Sequence, residues 1–157
     1  MLHVCSLSRL SETVEKAGAT HLVTLINAEM DVPTPDGVAP DQHLVLGFND
    51  IVGDIDGLTL PGEDHVKSLL EFVRNWDRTE PLVIHCWAGI SRSTAGAYIT
   101  ACALNPDRDE YELAEELRRY PEVADYQLWI GQSGVADFSG LFRGTAERAG
   151  SYIGEVR

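Results

Sequence analysis

Residues 82–94 read LVIHCWAGISRST, directly after Pro81. Leu82, Val83 and Ile84 are β-branched or aliphatic and too few for a helix, so the run reads as a short buried strand that ends on His85 and Cys86. Gly89 marks a tight turn, and from about Ser91 the chain continues as STAGAYITACALN, a run of small residues that stops before Pro106. A helix so rich in Ala and Gly can lie close to its neighbours, which places it centrally. Strand, tight loop and helix in this order form the repeating unit of an α/β fold, and the rest of the chain can be read outward from it.

Upstream, Leu2–Cys5 is a short apolar opening, and Leu10, Val14 and Ala17 then recur at helical spacing until Gly18 stops them. His21–Ile26 is a second strand, residues 30–42 form a proline-bearing acidic loop, and His43–Phe48 returns to strand. Residues 49–62, NDIVGDIDGLTLPG, read as a surface loop that Pro61 closes at the start of a helix. In that helix Val66, Leu69, Leu70, Val73 and Trp76 share one apolar face. Downstream, Asp109 with Glu112 three positions later is a helix start running to Tyr120, and a further helix covers Ala124–Ser133. The tail from 135 to 157 has little periodicity and reads as a C-terminal extension of one 157-residue domain. The expected class is α/β, with a central, mostly parallel sheet of four to five strands and helices on both faces.

Composition restricts what such a domain does. At 157 residues and 44% hydrophobic content, the chain can bury roughly 70% of its unfolded surface without covalent staples. Its three cysteines, Cys5, Cys86 and Cys102, have no C-x-x-C pairing, which argues against a disulfide scaffold or a zinc site and suits a reducing cytoplasm. The five histidines show no metal-ligand spacing, so neither a metal nor another cofactor is expected. The formal charge of −13 repels nucleic acid and anionic membrane, and no apolar stretch approaches the length of a membrane span. Nothing in the sequence fixes the oligomeric state.

The loop itself carries chemistry. A strand ending in Cys86 and a helix beginning near Ser91 gather the amides of Trp87, Ala88, Gly89, Ile90, Ser91 and Arg92 around one concavity. Unpaired amides at a helix N-terminus form an anion site, and the guanidinium of Arg92 can hold two oxygens of a tetrahedral anion at once. The same positive field favours thiolate at Cys86, the form of sulfur that attacks.

The nine residues from His85 to Ser93 resemble the signature His-Cys-x-x-Gly-x-x-Arg-Ser/Thr of the cysteine-dependent protein tyrosine phosphatases, with every fixed position filled. The chain is most similar to their dual-specificity-like branch and to small bacterial members, over residues 1–135 in the order of elements. That resemblance implies that Cys86 attacks phosphorus and carries the phosphoryl group, while Arg92 and the loop amides stabilise its equatorial oxygens. Ser93 then donates to the departing sulfur, and His85 orients the loop through its ring hydrogen bonds. The implied substrate is a phosphorylated protein or a small aryl phosphate.

The resemblance also implies an aspartic acid, on a loop upstream of the cysteine, that protonates the leaving group. Asp50 directly follows the strand 43–48 and is the first choice; Asp54 is the alternative, at a spacing closer to the commoner family pattern, and Asp56 lies in the same window. Cys5 and Cys102 read as core thiols, and Trp87 as pocket wall or cover. Tyr126, Gln127 and Trp129 fall where related phosphatases place residues near the site, although core or surface explains them as well. Two other classes share a loop of this kind: a module that binds phosphorylated partners without turnover, and a sulfur-transfer enzyme, for which Arg92 and Ser93 have no obvious use.

Overall fold

The structure, a computed structural model, describes residues 1–119. Its strands are β1 (Leu2–Ser6), β2 (His21–Ile26), β3 (His43–Gly47) and β4 (Leu82–Cys86). Its α-helices are α1 (Leu10–Ala17), α2 (Glu63–Asn75), α3 (Arg92–Leu104) and α4 (Glu110–Arg119). The four strands form one sheet in the order β1-β4-β2-β3, and every pairing is parallel. Parallel neighbours place all four carboxyl ends on one edge of the sheet, where open α/β sheets hold their ligands.

Strand β4 is buried at every position, as expected for a central parallel strand covered on both faces. Its alternation divides the core. Leu82, Ile84 and Cys86 point into one cluster with Val23, Leu25, Leu69, Leu70, Val73 and residues of α3. Val83 points the other way, with Leu22 and Ile26, toward Leu10 and Val14 of α1 and toward Val32 and Val38 of the 27–42 segment. Helices thus cover both faces: α1 on one, α2 and α3 on the other. Each fully buried Val, Leu or Ile in these strands contributes about 1.5–3 kcal/mol.

Helices α1 and α3 end where their sequences say, whereas α2 stops one residue short of Trp76. Gly18 takes the left-handed conformation (φ 62°) that closes α1. In α2 the apolar face includes buried Leu69, Leu70 and Val73, while Val66 and Phe72 are partly buried; Trp76 sits just past the last turn and donates its indole N–H to the Glu80 carbonyl at 2.9 Å. Helix α3 is the central one: nine of its residues are buried, and a Cβ on Gly96 would lie 2.8 Å from Leu25 Cδ1. Asp109 caps α4, its carboxylate accepting the amides of Tyr111 and Glu112 at 2.9 and 3.2 Å. The expected end of that helix at Tyr120, the helix 124–133 with Tyr126, Gln127 and Trp129, and the 135–157 extension lie outside the described residues.

Strand β3 stops at Gly47, one residue earlier than expected, although the Phe48 amide still donates to the Ile26 carbonyl at 2.8 Å. At Gly47 the backbone of the segment after β2 passes so close that a Cβ would lie 2.9 Å from Ala28 Cα. This contact sets Asn27, the first residue after β2, beside the end of β3. Among the described residues no helix is long and apolar enough to cross a membrane.

Candidate active site

Cys86 is the last residue of β4 and is almost wholly buried. Its Sγ lies 3.2 Å from Ser93 Oγ and accepts the amide of Gly89 at 3.3 Å. The loop folds back on itself because Gly89 adopts φ 75°, a region that side chains disfavour. It also packs against the end of β1: a Cβ at Gly89 would sit 2.6 Å from Ser6 N. A further tie comes from the Leu7 amide, which donates to the Trp87 carbonyl at 3.2 Å.

Arg92 opens α3 and is 9% exposed, an unusual burial for a guanidinium. One terminal nitrogen, Nη1, donates to Asn27 Oδ1 at 2.8 Å and to the Phe48 carbonyl at 2.7 Å. Its Nε has no hydrogen-bond partner. A buried donor left in this state costs about 1–3 kcal/mol, so the site holds a cation that is clamped at Nη1 and incompletely satisfied at Nε. Ser91 is the N-cap of α3, yet its hydroxyl does not cap the helix; it donates to Asp50 Oδ1 at 2.8 Å. The first turn of α3 is therefore not blocked by a side-chain cap, as an anion site at a helix N-terminus requires.

These groups share a cavity of about 670 Å³, lined by Cys86, Trp87, Ala88, Ile90, Ser91 and Arg92 on one side. Asn27, Met30, Asn49, Asp50, Ile51 and Leu58 line the other. Asp50 is held at its edge by more than Ser91. Asn49 accepts the Thr59 amide on its side chain and exchanges a backbone hydrogen bond with the same residue, both at 2.8 Å, which closes the loop between them. Asp54 and Asp56 lie within that closed loop, exposed, and neither lines the cavity.

His85 faces away from Cys86, across the sheet. Its Nε2 lies 2.7 Å from Thr24 Oγ1 in β2, and the same hydroxyl lies 2.7 Å from His43 Nε2, whose Nδ1 is 2.8 Å from Thr34 Oγ1. Through Nε2 the ring thus bonds the neighbouring strand β2, and it also meets the Cys86 backbone. Burial pulls the His85 pKa down to about 4, partly opposed by a backbone contact with Cys86, and burial lowers that of His43 as well. His85 is consequently neutral at physiological pH. The other two cysteines are core thiols: burial raises both, Cys102 to about 11.

The structure therefore brings Cys86, Trp87, Ala88, Ile90, Ser91, Arg92 and Asp50 to one cavity, with Gly89 and Ser93 bonded to the sulfur and Asp54 outside it. Asn27 and the Phe48 carbonyl were not anticipated. The only sequence signal for Asn27 is a polar residue set at the carboxyl end of a buried strand.

The fold that carries this arrangement is that of solved protein tyrosine and dual-specificity phosphatases. Among solved structures the chain is similar to the PTP-2 phosphatase of Cydia pomonella, at 20% identity and a TM-score of 0.62, covering 91% of this chain and 84% of that one. Human DUSP28 matches at 16% identity and a TM-score of 0.61 over 98% and 94% of the two chains. The human tyrosine phosphatase-like serine/threonine/tyrosine-interacting protein matches at 18% identity and a TM-score of 0.63 over 97% and 93%. No family model matches the sequence, and no curated protein does.

Proposed function

We propose that this protein is a phosphomonoester hydrolase that works through a cysteinyl-phosphate on Cys86 and requires no metal ion. The observation that carries the reading is the pairing of a sulfur held by Ser93 and Gly89 with the buried, half-satisfied guanidinium of Arg92 in the same cavity. In the first step the Cys86 thiolate forms the S–P bond as the P–O bond to the leaving group breaks. Asp50 gives its proton to the departing oxygen, and Arg92 with the loop amides takes the charge on the equatorial oxygens. Water then attacks phosphorus and passes a proton to Asp50. The S–P bond breaks as the Ser93 hydroxyl donates to the sulfur, releasing phosphate. The substrates are phosphorylated protein side chains or small aryl phosphates, and a reducing compartment such as the cytoplasm suits a nucleophile that must stay reduced.

The test is hydrolysis of an aryl phosphate in the presence of EDTA by wild type and Cys86→Ser. Turnover that survives chelation and is absent from Cys86→Ser is expected. A folded wild type that binds vanadate without turning over substrate is instead a phosphate-binding module.

A further inference from the structure

From Ala17 to Val66 the sequence contains no Lys or Arg, and this span includes both loops that wall the cavity opposite the signature loop. The acids of the same loops line the cavity, touch a residue that does, or lie close in sequence to one. Asp50 lines the cavity; Glu29 accepts from the side chain of Asn27, which lines it and holds Arg92; Asp31 follows the lining residue Met30; Asp54 and Asp56 sit between the lining residues Ile51 and Leu58. Between these charges the mouth is apolar. Trp87 is 58% exposed and Leu58 43%, and Val52 and Ile55 of the same loop are exposed as well. Among the described cavity-lining residues Arg92 is the one fixed cation, and on the reading given above it serves the phosphoryl group.

The opening thus has two zones of opposite demand. Its depth receives a compact anion, whereas its rim repels further negative charge and offers apolar surface to whatever carries that anion. We infer that, on the reading given above, the preferred substrate is a phosphorylated protein segment flanked by Lys or Arg and apolar residues. Acid-flanked phosphopeptides and polyphosphorylated small molecules meet the carboxylates of both loops at once. Basic flanking residues pair with Glu29, Asp31, Asp54 and Asp56, and their aliphatic stems lie on Trp87 and Leu58.

The experiment compares kcat/KM of the full chain for two phosphopeptides that differ only in flanking residues, Lys/Arg in one and Asp/Glu in the other, beside an aryl phosphate without flanks. The basic peptide is expected to exceed the acidic one by roughly tenfold or more at low salt, with the ratio shrinking as salt screens the rim. Asp31→Lys combined with Asp56→Lys should bring the ratio toward one; because it is a ratio, a general change in turnover cancels from it. Equal or reversed preference with intact aryl phosphate hydrolysis overturns the inference and leaves the catalytic reading standing. If no substrate is turned over, the catalytic reading fails instead. The same two peptides are then titrated against the wild type, where the basic one must bind more tightly for the inference to hold.

Discussion

Ser93 Oγ stands 3.2 Å from Cys86 Sγ, bringing the first turn of α3 to the end of β4. The two residues are the points at which a strand and a helix close on a single sulfur. A hydroxyl at that distance stabilises the sulfur most when it bears full charge, as it would on leaving phosphorus in the proposed reaction. Ser93→Ala should therefore slow the second step more than the first. A hydrogen bond to a charged group is worth about 1.5–3 kcal/mol, so kcat should fall by roughly 10- to 150-fold. Rapid mixing should show a burst of released alcohol ahead of the slow steady state; a lower kcat without a burst would assign Ser93 to the first step or to folding alone.

Asp50 should matter in proportion to how badly the leaving group needs a proton. Asp50→Asn is expected to cost about 100-fold or more in kcat with an alkyl or unsubstituted phenyl phosphate and far less with a nitrophenyl phosphate. Asp54→Asn, which changes a residue outside the cavity, should leave both substrates unaffected. The opposite pattern in the two variants would move the acid to Asp54.

Gly89→Ala combines two penalties, a positive φ and a Cβ 2.6 Å from Ser6 N and 2.8 Å from the Cys5 carbonyl carbon. Because the obstacle is backbone, it cannot swing aside. The strained conformation alone costs about 1–3 kcal/mol, and relief by moving the loop would withdraw the Gly89 amide from sulfur. Both the melting temperature and vanadate affinity should drop. A variant with wild-type values of both would show that the loop has another conformation of equal energy.

His85 makes stability depend on pH in a specific window. Unfolded, it binds a proton near pH 6.5; folded, only near 4. Between those values the unfolded state carries more protons, so the contribution is complete above pH 6.5 and declines as the pH falls toward 4. The full span corresponds to about 3 kcal/mol. Urea unfolding of wild type should weaken across this interval, and His85→Asn should flatten the slope even if it is less stable throughout. Parallel slopes in the two proteins would contradict a buried neutral imidazole.

Much of the architecture was legible because its signals are local. The alternation in β4, the apolar spacing in α2 and Gly18 after α1 each lie within a few residues of what they determine. The signature loop was legible for the same reason, since Cys86, Gly89, Arg92 and Ser93 follow one another in the chain. What holds Arg92 was not: Asn27 comes from the end of another strand, and the Phe48 carbonyl has no side-chain identity to read. Asp50 was the first choice among three loop acids, but what holds it at the cavity edge, the Asn49–Thr59 clasp and Ser91, was not legible. The direction of His85 was available in principle, as two-residue alternation sends the neighbour of Cys86 to the opposite face.

The contacts that complete the cradle join residues 65, 44 and 41 positions apart: Arg92 with Asn27, Arg92 with Phe48, and Ser91 with Asp50. Each requires the parallel register of β2, β3 and β4 to be in place first, so the entropy of closing those long loops is met by the whole sheet. A peptide spanning 82–94 carries the complete motif and none of these partners. Vanadate binding is for that reason a reporter of global folding: it will appear in the same cooperative transition as the sheet, and saturating ligand will shift that transition upward as a unit.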